Sequence, residues 1–175
     1  MDKIKGLTTE ERNKDTKNLD RLSSLEIVEL MNKEDEKVIQ AINKILPNIA
    51  EMIDQVTHAF NNGGRLIYMG AGTSGRLGVL DAVECPPTFG TDPDMVVGLI
   101  AGGENAFIKA VEGAEDHEYL AIEDLDNLKL NHKDVVIGIA ASGRTPYVIR
   151  GLKYAKDKGC VTGAISCNQA SLISK

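Results

Sequence analysis

The chain has 175 residues, of which 42% are hydrophobic and 26% charged, and these fractions are typical of one soluble globular domain. Its net charge of −6, without a block of basic residues, argues against a nucleic-acid-binding surface. The sequence shows no apolar stretch near the roughly 20 residues that span a bilayer and no signal peptide, and its three cysteines lack metal-like spacing. We therefore predict a cytoplasmic protein that binds neither membranes nor nucleic acids.

Residues 1–60 are predicted to form an amino-terminal arm and helices. The first 22 residues or so are polar and show little periodicity, which is typical of an extended arm or of a loosely attached segment. Ser23-x-x-Glu26 then has the form of a capping box, in which each residue satisfies a backbone N–H near the other. This motif predicts a short helix that ends near Asn32.

A longer amphipathic helix is predicted from Glu34 onward. Apolar residues recur there three and four positions apart, as they do on one face of a helix: Val38, Ile42, Ile45, Ile49, Ile53, Val56 and Phe60. Pro47 lies inside this pattern and predicts a kink or break, because proline lacks the N–H that a helix interior uses. Asn62-Gly63-Gly64 predicts the end of the helix.

Residues 61–175 are predicted to form an α/β domain in which apolar strands alternate with helices. Strands are expected at Arg65–Met69, Met95–Ala101, Asp134–Ala140 and Val161–Ser166. Helices are expected after Gly75 to about Val83, across 104–128 with an interruption near Gly113, and from Pro146 to Gly159 with Thr145 as the cap. Continuous Val/Ile runs indicate a parallel sheet covered on both faces, which is a doubly wound sandwich.

Glycine-rich loops follow three of the predicted strands. In parallel sheets, ligands bind beyond the carboxyl ends of the strands, and a glycine loop that enters a helix presents N–H groups to an anion. The loops after the first and third strands also carry hydroxyl groups, which are good phosphate donors. The sequence therefore predicts a phosphate site made from Gly72, Thr73, Ser74, Gly75, Ser142, Gly143, Arg144 and Thr145.

The spacing of Gly70, Gly72 and Gly75 also fits the dinucleotide-binding pattern G-x-G-x-x-G. That reading requires an acidic residue at the end of the second strand to hold a ribose hydroxyl, whereas this chain has Gly102-Gly103 there. A Walker loop is excluded because no Gly-Lys-Ser/Thr follows the glycines. The pattern favours a compact phosphomonoester such as a sugar phosphate. An alternative interpretation is that the glycines serve only tight turns.

Three runs carry a specific resemblance: GRLIYMGAGTSGRLGVLDAVECPPTFG, VVGLIAGGENAFIKAVEGAED and DVVIGIAASGRTPYVIRGLKYA. They are similar to the N-acetylmuramic acid 6-phosphate etherases, which belong to the sugar-isomerase (SIS) domain superfamily. The opening LTTEERNKDTKNLDRLSSLEIVELMNKED also resembles that family. The resemblance covers nearly the whole chain, although family members continue beyond its last residue, so a carboxyl-terminal part is expected to be missing.

The resemblance implies an etherase, a carbon–oxygen lyase that uses no metal or other cofactor. Its substrate is N-acetylmuramic acid 6-phosphate, which it cleaves to N-acetylglucosamine 6-phosphate and D-lactate by elimination and hydration, in cell-wall amino-sugar recycling. By motif, Glu84 is the acid that protonates the departing lactate oxygen and later activates water, and Glu115 is the base at C2. The family also implies a homodimer.

These roles require one acidic and one basic carboxyl group. Glu84 is expected near the carboxyl end of its helix and partly buried, and Glu115 stands among the like charges of Glu112 and Asp116. Two other functions remain open at this point. One is a phosphosugar isomerase, which abstracts the same kind of proton without releasing lactate. The other is a regulatory phosphosugar-binding module without catalysis.

Overall fold

The computed structural model describes residues 8–175, which fall into two compact units divided between Ile53 and Asp54. Residues 1–7, the start of the predicted arm, lie outside the described residues. The rest of the arm is not extended, because it forms three short 3-10 turns, at Thr8–Glu10, Lys14–Thr16 and Leu19–Arg21. Asn13 ties it to the first helix by donating from Nδ2 to Glu34 Oε2 at 2.7 Å.

Helix α1, Ser24–Asn43, begins at the predicted capping box. Ser23 Oγ accepts from the Glu26 N–H, and Glu26 Oε2 accepts from the Ser23 N–H at 2.7 Å. These hydrogen bonds lower the pKa of Glu26. The predicted end near Asn32 is wrong, because residues 33–43 contain no glycine or proline that would break the helix.

Helix α2, Leu46–Asn61, follows α1 after a two-residue break. The break falls just before the predicted position, Pro47. That proline is the second residue of α2, where a backbone N–H has no partner inside the helix and its loss costs little. Gly63, with φ +74°, lies just beyond the helix end, in the stretch predicted to stop it.

Four parallel strands form the sheet, and the sequence places each of their ends to within one residue. They are β1 (Leu66–Gly70), β2 (Val96–Ile100), β3 (Val135–Ile139) and β4 (Val161–Ile165). The strand order is β2-β1-β3-β4. The chain therefore moves from β1 to one side and then returns to the other, which places the point of reversal at β1 and β3.

Helices cover both faces of the sheet, as a doubly wound fold requires. Helix α3 (Gly72–Phe89) packs on one face and α6 (Pro146–Asp157) on the other, with α5 (Glu118–Asn127) against α6. Neighbouring residues of β1 show the two layers. Beside Tyr68, α3 has Gly78, where an added Cβ would stand 2.7 Å from the tyrosine Cβ. Beside Met69, α6 has Gly151, where a Cβ would stand 2.4 Å from the methionine Cε.

Helix α3 is longer than the sequence predicts. Instead of ending near Val83, it runs through Pro86 and Pro87 to Phe89. The two prolines occupy the last turns, so the helix loses only the N–H groups of those two residues. It ends at Gly90, whose backbone is left-handed (φ +67°) and whose N–H donates to Pro86 O at 2.8 Å.

A buried ion pair holds the amino-terminal edge of the sheet, opposite the glycine loops. Asp134, 1% exposed, accepts hydrogen bonds from the Arg65 N–H, Nε and Nη2 at 2.8–3.1 Å. The backbone N–H and Nδ2 of Asn131 also donate to it, at 3.0 and 3.1 Å. The hydrogen bond to Asp134 raises the pKa of Arg65. This cluster fixes the start of β1 against β3.

Candidate functional site

The loop after β1 brings the end of a strand directly against the start of a helix. An added Cβ at Gly70 would lie 2.5 Å from the Gly75 N, and one at Gly75 would lie 2.8 Å from Gly70 O. Gly72, the first residue of α3, has φ +53°. The N-cap residue is Ala71, whose side chain accepts no hydrogen bond. The N–H groups of the first turn are therefore left to other acceptors, which suits an anion.

The loop after β3 enters α6 in a similar way. Pro146 is the first helical residue and Thr145 is the N-cap, as predicted, but the Thr145 side chain makes no cap hydrogen bond. Gly143 is buried with φ +68°, whereas Ser142, Arg144 and Thr145 are half-buried. This second helix start thus also lacks a side-chain cap.

The first turn of α6 is fixed by Tyr147, which is fully buried. Its Oη donates to Asp124 Oδ2 of α5 at 2.6 Å. Burial raises the pKa of Tyr147 and, despite this hydrogen bond, also that of Asp124. The helix start that follows the β3 loop is therefore rigidly connected to its neighbouring helix.

The two hydroxyl-bearing loops leave neighbouring strands. Gly70 pairs with Ile139 at the carboxyl ends of β1 and β3, so the loops start about 4.8 Å apart. The strand order reverses at this point, and ligands bind there in open parallel sheets. The fold thus brings the two predicted phosphate-binding loops to one edge of the sheet.

A cavity of about 190 Å³ opens beside the first of these loops. It is lined by Gly72 and Arg76 at the start of α3 and by Glu112 and Glu115. Its remaining lining residues are small or apolar: Ala71, Ala101, Ala106, Ala110, Val111 and Gly113. The predicted base, Glu115, is exposed on this cavity, whereas the loop 142–145 does not line it.

Arg76 builds a wall of this cavity through backbone contacts. Its Nε donates to Phe107 O and its Nη2 to Ala106 O, both at 2.8 Å. These carbonyls belong to α4, Asn105–Ile108, a helix of only four residues. The guanidinium of α3 thereby fastens the segment that leads to Glu112 and Glu115.

The structure does not bring Glu84 to the same cavity. Glu84 lies on α3 twelve residues after Gly72, which corresponds to about 18 Å along the helix axis. Its side chain is exposed, so the predicted partial burial is wrong. The helix continues five residues beyond it, to Phe89. Within one chain, the two predicted catalytic glutamates therefore lie apart.

Beside Glu84, α3 makes structural contacts with the sheet. The side chains of Tyr68 and Asp81 hydrogen bond, and burial together with this contact raises the pKa of Tyr68. Burial likewise raises the pKa of the Cys85 thiol. Because the nucleophilic form of cysteine is the thiolate, this shift argues for a packing role rather than a reactive one.

Sequence reasoning missed polar residues that approach the site from two other segments. Glu112, noted in the sequence only as a like charge beside Glu115, lines the same cavity. Asn168 and Ser171, buried after β4, contact the loop that follows β3. The signal was present in the sequence, because β4 is parallel to β3 and its polar residues must emerge at the same edge. Within residues 8–175, no cluster of His, Cys, Asp and Glu suits a metal ion, and no helix is long and apolar enough to cross a bilayer.

Comparison with known families identifies the fold of this site. Residues 48–156 match the family described as "Glucokinase regulatory protein N-terminal SIS domain". The chain belongs to this SIS domain family. In structure, the chain is similar to a phosphoheptose isomerase from Francisella tularensis, with a TM-score of 0.66 and 20% identity, over 87% of this chain and 80% of that one. This likeness confirms the predicted α/β fold class.

Curated relatives confirm the resemblance drawn from the motifs. The chain is 59% identical over 172 residues to an N-acetylmuramic acid 6-phosphate etherase of Geobacillus sp. (strain WCH70). It is 62% identical over 172 residues to the protein of that name from Bacillus cytotoxicus. Both alignments cover 98% of this chain but 58% of the relative. The chain therefore spans little more than half the length of the relatives that it matches.

Proposed function

We propose that this chain carries the phosphosugar site of an N-acetylmuramic acid 6-phosphate etherase, a metal-independent carbon–oxygen lyase of cytoplasmic amino-sugar recycling. The observation that carries the proposal is the position of Glu115, which opens onto the cavity formed by the start of α3. A carboxylate beside an anion-binding helix start provides a base close to a bound phosphate ester. The names of relatives about 60% identical supply the substrate.

In this proposal, the 6-phosphate binds at the β1–β3 edge of the sheet. The N–H groups at the start of α3, in a loop with two hydroxyl side chains, form one half of the site. The loop before α6 forms the other half. The proposed phosphate ligands are Gly72, Thr73, Ser74, Gly75, Ser142, Gly143, Arg144 and Thr145. A sugar held there extends toward Glu115. The cavity of about 190 Å³ is smaller than common ligand sites of about 300–1,000 Å³, so the sugar extends beyond it.

The chemistry proceeds on the open-chain sugar, whose C1 aldehyde acidifies the C2 proton. The Glu115 carboxylate takes that proton, the C3–O bond breaks, and Glu84 protonates the departing lactate oxygen. The resulting unsaturated aldehyde is then hydrated. Glu84, now a carboxylate, takes a proton from water, the hydroxyl adds to C3, and Glu115 returns its proton to C2. Both glutamates regain their starting protonation states, and the products are N-acetylglucosamine 6-phosphate and D-lactate.

The distance between the glutamates makes the predicted homodimer part of the proposal. Glu84 is exposed and about 18 Å along α3 from Gly72, so a glutamate that serves the same sugar comes from a second copy. Exposed apolar residues on the same helix, Leu77, Leu80 and Val83, suit a subunit contact. Mixing Glu84→Gln with Glu115→Gln protein should then restore activity that neither variant has alone. Failure of two folded, dimeric variants to complement each other would refute action across subunits.

The reaction is tested by D-lactate release from N-acetylmuramic acid 6-phosphate, measured with a coupled dehydrogenase. Glu115→Gln should lower the rate by about 10²–10⁴-fold, the usual contribution of a general base. In D₂O, this variant should also lose deuterium incorporation at C2. Glu84→Gln should lose lactate release but keep C2 exchange, because its role follows proton abstraction. Glu112→Gln, on the same cavity, is the matched control and should stay within about threefold of the parent.

Two outcomes would favour the other functions. Interconversion of an aldose and a ketose phosphate without lactate release would indicate an isomerase. Saturable phosphosugar binding without turnover would indicate a regulatory module. If lactate were released and neither glutamate variant slowed it, the assignment of Glu84 and Glu115 would be wrong while the etherase activity stood.

A further inference from the structure

The loop after β3 is held from behind by residues 166–174, here called the post-β4 segment. The Cys167 N–H donates to Ala141 O at 2.9 Å, and Asn168 Nδ2 lies 3.4 Å from Ala141 O and 3.3 Å from Ser142 O. The Ile173 N–H donates to Gly143 O at 3.1 Å. Three successive carbonyl groups of the loop are thus engaged by one segment.

These contacts determine the direction of the loop's N–H groups. In a trans peptide, the carbonyl of one residue and the N–H of the next point in opposite directions, and no cis bond occurs in residues 8–175. Carbonyl groups turned toward the post-β4 segment therefore turn the N–H groups of residues 142–144 away from it. The Gly143 N–H donates to Ala140 O at 2.8 Å, and this hydrogen bond closes a turn. The Ser142 and Arg144 N–H groups also point away from the post-β4 segment.

The strand order gives this direction a functional meaning. Strand β3 lies between β1 and β4, so the side of the β3 loop away from β4 is the side of the β1 loop. This is the point of reversal, where an anion would meet both loops. An unrestrained peptide that flipped would present its carbonyl oxygen to the anion instead. The contacts from behind keep the negative end of each peptide dipole out of the site.

We infer that Asn168 is a positioning residue, which orients the peptides of the β3 loop toward a phosphate without touching it. Asn168 is 6% exposed, and Ser166 Oγ donates to its backbone carbonyl at 2.8 Å. Ser166 Oγ also lies 3.1 Å from Ser171 Oγ. An added Cβ at Gly143 would lie 2.2 Å from Ser171 Cβ, so the loop fits the segment closely. The identity of the anion as the phosphate of a phosphosugar rests on the function proposed above.

The test measures N-acetylglucosamine 6-phosphate binding by calorimetry for the parent chain, Asn168→Ala and Asn168→Asp. Loss of the amide donor in Asn168→Ala should raise Kd about five- to tenfold, which corresponds to the contribution of one hydrogen bond. Asn168→Asp should bind the sugar phosphate no more tightly than Asn168→Ala. The matched control is Asn131→Ala, which removes another side-chain amide donor at the opposite edge of the sheet. It should lower Tm and leave Kd unchanged, which separates positioning from general stability.

A second measurement uses the ligand-free protein. The backbone ¹⁵N shifts of Ser142 and Arg144 should move in Asn168→Ala and stay fixed in Asn131→Ala. If the parent fails to bind the sugar phosphate, the proposed function fails, whereas these shifts still test the positioning role. Unchanged Kd and unchanged shifts in Asn168→Ala would overturn the inference. If the Asn168 variants do not fold, hydrogen exchange at the Cys167 and Ile173 amides of the parent tests the inference instead. Exchange at these amides should slow when phosphate is added, and an unchanged rate would contradict the inference.

Discussion

Removing the carboxylate of Asp134 should be among the most damaging single changes in this protein. In Asp134→Ala, the Arg65 N–H and Nε lose their acceptor, and the guanidinium keeps only the bond from Nη2 to Leu128 O at 3.0 Å. Breaking a buried ion pair by removing one partner costs about 3–5 kcal/mol. Because the Arg65 side chain remains 22% exposed and keeps one acceptor, we expect the lower end, about 3 kcal/mol.

Urea unfolding followed by circular dichroism provides the assay. With an m-value of about 2 kcal/mol per M, a loss of about 3 kcal/mol lowers the midpoint by about 1.5 M. The control is Glu123→Ala, which removes an exposed carboxylate from α5 and should shift the midpoint little. The difference in midpoint should persist when 0.5 M salt is added, because salt screens buried ion pairs only weakly. A midpoint change below about 0.5 M at an unchanged m-value would refute the reasoning.

Three further predictions follow from other contacts. Gly75→Ala should destabilise the fold by about 1–3 kcal/mol in urea unfolding, because its Cβ would lie 2.7 Å from Ile100 Cγ1 and 2.8 Å from Gly70 O; an unchanged midpoint would contradict this. Since burial raises the pKa of Asp124, the folded state holds the extra proton and loses stability as pH rises above the ordinary aspartate range. Asp124→Asn should therefore unfold at an equal or higher urea concentration at pH 7 and lose this advantage near pH 3, whereas a lower midpoint at pH 7 would count against it. The pKa of Cys160 is raised to about 11 by burial, so at pH 8 only about one thiol in a thousand is ionised. A disulfide reagent should label the exposed Cys167 first and Cys160 last, and equal rates would be inconsistent with the fold.

The sheet could be predicted closely from the sequence, because a strand buried on both faces needs an unbroken apolar run. DVVIGIA and MVVGLIA are such runs, and few other structures accommodate them. The end of α3 could not be predicted in the same way. A Pro-Pro pair normally marks a helix boundary, yet here Gly90 ends the helix after both prolines. The left-handed backbone of Gly90 is a property of the folded chain.

The candidate site was predictable where it depends on local sequence and not where it depends on distant contacts. The loops after β1 and β3 carry their glycine and hydroxyl residues in short motifs, so their positions follow from the strand ends. The exposure of Glu84 depends on which face of α3 meets the sheet, and the motif does not specify that. The contacts of Asn168 join residues 26 and 27 positions apart; the parallel pairing of β3 and β4 indicates the edge of the sheet where they occur, but not which atoms meet.

The contacts of Arg76 affect how mutations at this site should be interpreted. An arginine in the first turns of a helix that follows a glycine loop looks like an anion ligand, yet its forked donors hold two carbonyl oxygens of α4. Lysine keeps the charge but cannot reproduce this planar, two-pronged grip. A variant such as Arg76→Lys would therefore loosen the segment before Glu112 and Glu115 while leaving the net charge intact. Weaker sugar-phosphate binding in that variant would report a displaced cavity wall, and should not be counted as evidence that Arg76 touches the phosphate.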